Sequence, residues 1–221
     1  MTALVIAPTP WHAAGLVGGS VLRWTQAGRR VVLAIPTADH DSVTAEVASQ
    51  LGAEGHLVPW PSSAWRSDDQ GRMALTDTIR EFVPDIVVVP PVEASTERTS
   101  ALGSMAFDAA FCSTVPHYRT PSGSQAGGGR MPIVEFDDPF RVVRSPIEYV
   151  DTTEVWEKKQ LAIAASANTA TGWFPNHEKQ TPTEVAEIVS RARGLQAQSP
   201  HGEAYTQVRV YGRLRTARLM P

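Results

Sequence analysis

Three short polar clusters hold the residues that could do chemistry. Thr9, Trp11 and His12 lie in "VIAPTPWHAAGLVGG", residues 5–19. Asp39, His40 and Asp41 lie in "PTADHD". Glu93, Thr96, Glu97, Arg98 and Thr99 lie in "PPVEASTERTS". A histidine changes charge near neutral pH, so His12 is a candidate acid, base or metal ligand, or else a polar filler. An arginine fork suits a carboxylate or an oxyanion, which makes Arg98 a candidate anion holder. Glu97 or Glu93 could orient His12 or a substrate. Trp11 either packs beneath its loop or lines a pocket for an apolar or ring-shaped ligand. Plainer readings stand beside these. Asp41 can cap a helix over 42–51, and the Glu93–Arg98 stretch can be a solvated loop.

The elements around these clusters explain why they matter together. "ALVIA" (3–7), "VVLAI" (31–35), "HLVPW" (56–60) and "DIVVVP" (85–90) are short, apolar and continuous rather than alternating. Such runs suit strands buried on both faces of a parallel sheet. Helical stretches separate them. Residues 12–27 carry Leu16, Val17, Val21, Leu22 and Trp24. Residues 42–51 carry Val43, Val47 and Leu51, and residues 75–82 carry Leu75, Ile79 and Phe82. The alternation predicts an α/β, Rossmann-like domain with a mostly parallel sheet flanked by helices. In such sheets ligands bind outside the carboxyl ends of the strands, where all three clusters fall.

Further along, "SALGSMAFDAAF" predicts another helix, and "PIVEF" (132–136) and "YTQVRVYG" (205–212) predict strands. "VDTTEVWEKKQLAIAASA" predicts a helix with Asp151 and Glu154 spaced as a cap. "TPTEVAEIVSRARG" predicts one that opens with a capping box at Thr181 and Glu184 and stops at Gly194. The segment "TPSGSQAGGGRMP" (120–132) is rich in glycine and serine, and a flexible loop near 120–131 is expected, a lid or an insertion. No separate domain is indicated, so residues 1–221 are read as one domain.

Composition removes several classes. With 42% hydrophobic and 19% charged residues the chain can build a core. A net charge of −3 gives no field that favours nucleic acid. No apolar run approaches a membrane span. Cys112 is the one cysteine, which rules out a disulfide framework and a cysteine-based zinc site, and it reads as a small core residue. "GLVGGS" lacks the dinucleotide spacing, and no P-loop or nucleophile-elbow motif occurs. The expectation is a cytoplasmic protein with a small-molecule ligand, no cofactor, and possible homo-oligomerisation.

The chain resembles the LmbE/PIG-L family of zinc-dependent N-deacetylases. "ALVIAPTPWHAAGLVGGSVLRWTQAGRRVVLAIPTADH" resembles the family's opening, in which a strand ends in His-Pro-Asp-Asp before a Gly-Gly helix. "IREFVPDIVVVPPVEASTERTSALGSMAFDAAF" resembles the block that carries His-Pro-Asp-His. "YVDTTEVWEKKQLAIAAS" and "RARGLQAQSPHGEAYTQVRV" resemble its Lys-bearing helix and its closing Glu-Ala-Tyr strand. The resemblance implies the fold and also shows what has changed. Thr9 stands at the first zinc histidine, Trp11 at the general base and His12 at the ligating aspartate. Thr99 stands at the second zinc histidine, Thr96 at the histidine that assists the tetrahedral intermediate, and Arg98 adds a positive charge nearby. Neutral hydroxyls are poor zinc ligands and an indole takes no proton. The expectation is a protein that is not a zinc deacetylase.

Two classes of function follow. The first is a metal-independent enzyme of specialised metabolism. It would move protons with His12, Arg98 and Glu97, in a cyclisation, isomerisation, elimination or hydrolysis. Thr9, Trp11, Asp39, His40, Glu93, Thr96 and Thr99 would surround the substrate. It is favoured because two altered positions became ionisable groups. The second is a non-catalytic protein that binds a small molecule or a partner, with His12 buried or the pocket filled by Trp11 and Trp65. A relocated metal site on His12, His40, Asp39 and Glu93 would instead restore amide hydrolysis.

Overall fold

The computed structural model describes residues 1–36, 41–60, 66–141, 146–167 and 179–208. Asp39, His40 and Trp65 lie outside these, as does the side chain of Asp41. Their expected roles are therefore not placed.

A seven-stranded sheet forms the middle layer. Its strands are β1 (Thr2–Ile6), β2 (Arg30–Pro36), β3 (Glu54–Val58), β4 (Ile86–Val89), β5 (Ile133–Phe136), β6 (Glu148–Asp151) and β7 (Gly202–Gln207). Their order is β3-β2-β1-β4-β5-β7-β6. The first five strands are parallel, and β7 runs antiparallel to both β5 and β6. Side chains alternate across each strand, so the apolar runs feed two cores. Val5, Leu33 and Val88 face one core, shared with the helices α1 (Pro10–Gln26), α2 (Asp41–Gln50), α5 (Trp156–Ser166) and α6 (Pro182–Gln196). Leu4, Val32 and Val87 face the other, shared with α3 (Asp69–Phe82) and α4 (Glu97–Cys112). This is the three-layer, mostly parallel architecture expected from the continuous apolar strands. No described helix is long and apolar enough to cross a membrane.

Several local expectations are corrected. The stretch at 150–151 belongs to strand β6, not to a helix. Asp151 accepts from the Thr153 amide at 2.9 Å and its hydroxyl at 2.6 Å, which forms a turn out of the strand. Helix α6 does not stop at Gly194 but runs on to Gln196. Glycine is required there because a Cβ would come within 2.6 Å of the Ser199 carbonyl. The capping box at its start is present: Thr181 and Glu184 bond each other's amides at 3.2 and 2.7 Å.

The segment 120–131 is no lid over the carboxyl edge. It runs between the end of α4 and the start of β5, both at the opposite, amino edge of the sheet. Its first half is held by α3. Asp77 accepts hydrogen bonds from the hydroxyls of Thr120, Ser122 and Ser124. Arg80 donates to the carbonyls of Ser124 at 2.8 Å and Tyr118 at 2.9 Å, and to those of Cys112, Ser113 and Val115.

Beneath α1 lies a buried polar knot. Glu203 accepts from the amides of Gly19 and Ser20 at 2.7 and 2.8 Å, from the Ser20 hydroxyl at 2.6 Å and from Lys159 Nζ at 2.8 Å. Tyr205 closes it with a hydrogen bond to Ser20 at 2.7 Å. Burial and the adjacent Glu203 carboxylate push the Tyr205 hydroxyl well above its ordinary pKa. The knot ties α1, α5 and β7 together. A carboxylate and an ammonium out of water remain tolerable only because each is fully paired.

Candidate functional site

Strand order reverses around β1, whose neighbours are β2 and β4. At such a switch point the loops leaving β1 and β4 diverge, which is where parallel sheets of this kind form their ligand crevice. Thr9, Pro10 and His12 lie at the start of α1 after β1. Ser95, Thr96, Arg98 and Thr99 lie at the start of α4 after β4. Asp137 and Asp138 follow the carboxyl end of β5.

Thr9 is the N-cap of α1, extended in backbone and with proline at the next position. Its hydroxyl accepts the His12 amide at 3.4 Å and lies 2.8 Å from His12 Nδ1. The same hydroxyl thus accepts the amide and holds the imidazole by a hydrogen bond at Nδ1, whose direction follows the ring's tautomer. Thr96 plays the same part for α4. It accepts the Thr99 amide at 3.2 Å and donates to the Thr99 hydroxyl at 2.8 Å. Two threonines that stand at the family's ligand or catalytic positions thus serve as helix caps.

The charges that act on His12 are Asp138 and Arg98. Burial lowers the His12 pKa to about 4; Asp138 opposes this and Arg98 adds to it. His12 is therefore neutral at pH 7. Asp138 is itself held by the Ser95 amide at 2.5 Å, the Ser95 hydroxyl at 3.1 Å and the Phe140 amide at 3.2 Å. Asp137 pairs with Arg193 of α6 at 2.7 Å. Burial raises the Asp137 pKa and Arg193 opposes the rise. Arg98 has no such partner. Its Nε is buried and makes no hydrogen bond. Its pKa is lowered by burial alone.

Three expectations for this site are corrected. Trp11 is not a pocket wall. It is 1% exposed, its ring lies over Gly15, and its Nε1 donates to the Pro182 carbonyl at 3.2 Å. It meets His12 edge-on at 5.3 Å between ring centroids and so backs the imidazole from inside the core. Glu97 is exposed and pairs with Arg66 at 3.3 Å rather than with His12. Glu93 is exposed and pairs with Arg141 at 3.0 Å. The carboxylate facing His12 is instead Asp138, which the sequence reading passed over. Its signal was present: "FDDPF" follows an apolar strand and so sits on the ligand edge.

The five side chains that the sequence resemblance sets at zinc and catalytic positions do not fit a zinc ion. Thr9, Thr96 and Thr99 offer neutral hydroxyls engaged in caps, Trp11 is turned into the core, and His12 Nδ1 is taken by Thr9. Among the described residues, no three His, Cys, Asp or Glu side chains converge as a metal would need.

No protein-family model and no curated protein matches the sequence. Solved structures do match the whole fold. The 4-carboxy-2-hydroxymuconate hydratase GalB from Pseudomonas putida KT2440 is 19% identical, with 97% of this chain and 99% of that one covered and a TM-score of 0.76. The N,N'-diacetylchitobiose deacetylase from Pyrococcus horikoshii is 17% identical over 94% of this chain and 83% of its own, with a TM-score of 0.77. The teicoplanin deacetylase Orf2 is 13% identical over 94% and 99%, with a TM-score of 0.62. These likenesses, which span nearly the whole chain, show that it shares the fold of these deacetylases and of the hydratase.

Proposed function

We propose that this chain is a metal-independent enzyme of specialised metabolism, with His12 as its proton-transfer group. The observation that carries this reading is the cluster of a neutral His12, the Asp138 carboxylate and the Arg98 guanidinium, all at the sheet's switch point. Thr9 holds the neutral imidazole through Nδ1, which leaves Nε2 for chemistry. Nε2 accepts a proton as a base when the ring proton is on Nδ1, and donates one to a developing oxyanion when it is on Nε2. Asp138 stabilises positive charge that forms on the ring, and Arg98 stabilises negative charge that forms on the substrate. That division suits elimination, isomerisation or cyclisation.

The structural neighbours support the range of this reading. One is a hydratase, a reaction outside deacetylation, and others are deacetylases of the teicoplanin biosynthetic pathway. A reading as a non-catalytic binder draws on the burial of Trp11 and on the burial of His12. It is less well supported, because Arg98, with a buried Nε that makes no hydrogen bond, is held close to His12 at some energetic cost.

The test is elemental analysis of untagged protein after zinc addition and dialysis, together with a His12→Ala variant. The expected result is well under one zinc per chain. The variant should fold as wild type does and lose turnover or ligand binding. One tightly held zinc per chain would overturn the metal-independent reading.

A further inference from the structure

Among the described residues, the acidic side chains of the β4–α4 turn and of the segment after β5 already have partners. Glu97 is paired with Arg66, Glu93 with Arg141 and Asp137 with Arg193. Asp138 is satisfied by Ser95 and the Phe140 amide. Arg98 alone among these charges has no ion pair and no hydrogen bond among the described residues, and its Nε is buried. Its position makes this more costly. It is the second residue of α4, whose amino end already carries positive partial charge. It also faces His12, another group that can become positive. A protein that only needed to fold would gain by replacing it.

We propose that Arg98 is the seat for a carboxylate on this protein's ligand, so that the ligand is a small organic monoanion. This rests on the reading of the crevice as a substrate site. A planar guanidinium matches a carboxylate with two parallel hydrogen bonds, and a bound carboxylate would give the buried Nε the acceptor it lacks. One negative charge is the right number. His12 is neutral, so among the described residues Arg98 is the cation acting on it, and the nearby Asp138 carboxylate repels a second negative charge. A dianionic phosphate is disfavoured for that reason. The ligand's reacting centre then lies beside His12 and its carboxylate beside Arg98.

The experiment measures binding of sodium benzoate by calorimetry and by thermal shift, against inorganic phosphate and sodium chloride at equal ionic strength. Wild type, Arg98→Gln and Arg98→Lys are compared, and the zinc content of each sample is measured. Benzoate should raise the melting temperature of wild type by a few degrees at saturation. Arg98→Gln should bind it at least about tenfold more weakly, and Arg98→Lys should fall between. Without ligand, Arg98→Gln should melt at or above the wild-type temperature, because it removes an unpaired, desolvated charge. Four results would overturn the inference: equal binding by Arg98→Gln, tighter binding of phosphate than of benzoate, a chloride effect as large as benzoate's, or a clear loss of ligand-free stability in Arg98→Gln. The zinc measurement separates the two claims. Zinc-loaded protein with Arg98-dependent benzoate binding would sink the metal-independent reading and keep the anion seat. Zinc-free protein without such binding would do the reverse.

Discussion

Thr9 Oγ1 lies 2.8 Å from His12 Nδ1, and the same oxygen accepts the His12 backbone amide at 3.4 Å. One hydroxyl therefore starts helix α1 and holds the ring of the histidine three residues on. Fold and chemistry meet in a single side chain at this point. Thr9→Ala should cost about 1 kcal/mol of stability by loss of the cap. It should also lower ligand binding or turnover, because the imidazole is no longer held. Thr9→Ser keeps the hydroxyl and should restore most of both. Urea unfolding and a binding assay on the two variants check this. Equal loss in both variants would show that the methyl group, not the hydroxyl, matters.

The pH dependence of folding follows from His12. Its pKa is about 4 in the folded protein, against an ordinary value near 6.5. Above pH 6.5 the group is neutral in both the folded and the unfolded chain and has no effect on the pH slope. As pH falls from 6.5 to 4, the unfolded chain takes up a proton that the folded one does not, so stability drops. The loss from this group is on the order of 2 kcal/mol, allowing for its partial exposure. His12→Asn should flatten the stability curve across that window. A curve with the same slope in both proteins would show that His12 is as basic in the fold as in the unfolded chain.

The pair Lys159 and Glu203, with side chains 0% and 2% exposed, should be sensitive to single changes and tolerant of a double one. Glu203→Ala strands a buried ammonium and frees the amides of Gly19 and Ser20, at a cost of roughly 3–5 kcal/mol. Lys159→Met combined with Glu203→Gln removes both charges and keeps one acceptor oxygen for the two amides. It should recover part of that loss. A double-mutant cycle from chemical denaturation gives the coupling directly.

Gly19 is a second probe of the same region. A Cβ there would come within 2.5 Å of Thr152 Cγ2 and 3.0 Å of Glu203 Oε1. Gly19→Ala should destabilise the protein by about 1–3 kcal/mol despite alanine's better helix propensity. Gly28 has positive φ and open space around its Cα, so Gly28→Ala is destabilising for a different reason, backbone conformation alone. Adding Thr152→Ser to Gly19→Ala should relieve part of the clash, which melting curves would show.

Arg80 and Asp77 should govern the order of the glycine-rich segment. Arg80→Met removes the donor shared by the carbonyls of Cys112, Ser113, Val115, Tyr118 and Ser124. Amide exchange across 113–127 should accelerate sharply in this variant, while the amides of β1 and β4 stay protected. Ligand binding at the switch point should be unchanged, because the segment lies at the other edge of the sheet.

Local signals in the sequence carried much of the architecture. Continuous runs such as "ALVIA" and "DIVVVP" mark strands buried on both faces, since a strand covered on both faces has no reason to alternate. The Thr181–Glu184 capping box and the placing of three polar turns at the carboxyl edge are likewise short-range facts, and the order of elements then implies a parallel sheet. The threonines at 9, 96 and 99 and the indole at 11 are also plain in the sequence, and on them the expectation of lost zinc chemistry rests. Tertiary structure decided how the charges pair. Glu97 and Glu93 looked like partners for His12, yet each is taken by an arginine, one 31 and the other 48 positions away. Asp138 replaces them because β5 lies beside β4, which no local pattern encodes. The strand at Glu148–Asp151 was hidden because its pairing with β7 comes from residues more than 50 positions later. Propensity and capping act within one turn of the chain, so a sequence displays them. Which charges meet, and which cation is left without a partner, depends on contacts that only the folded sheet brings together.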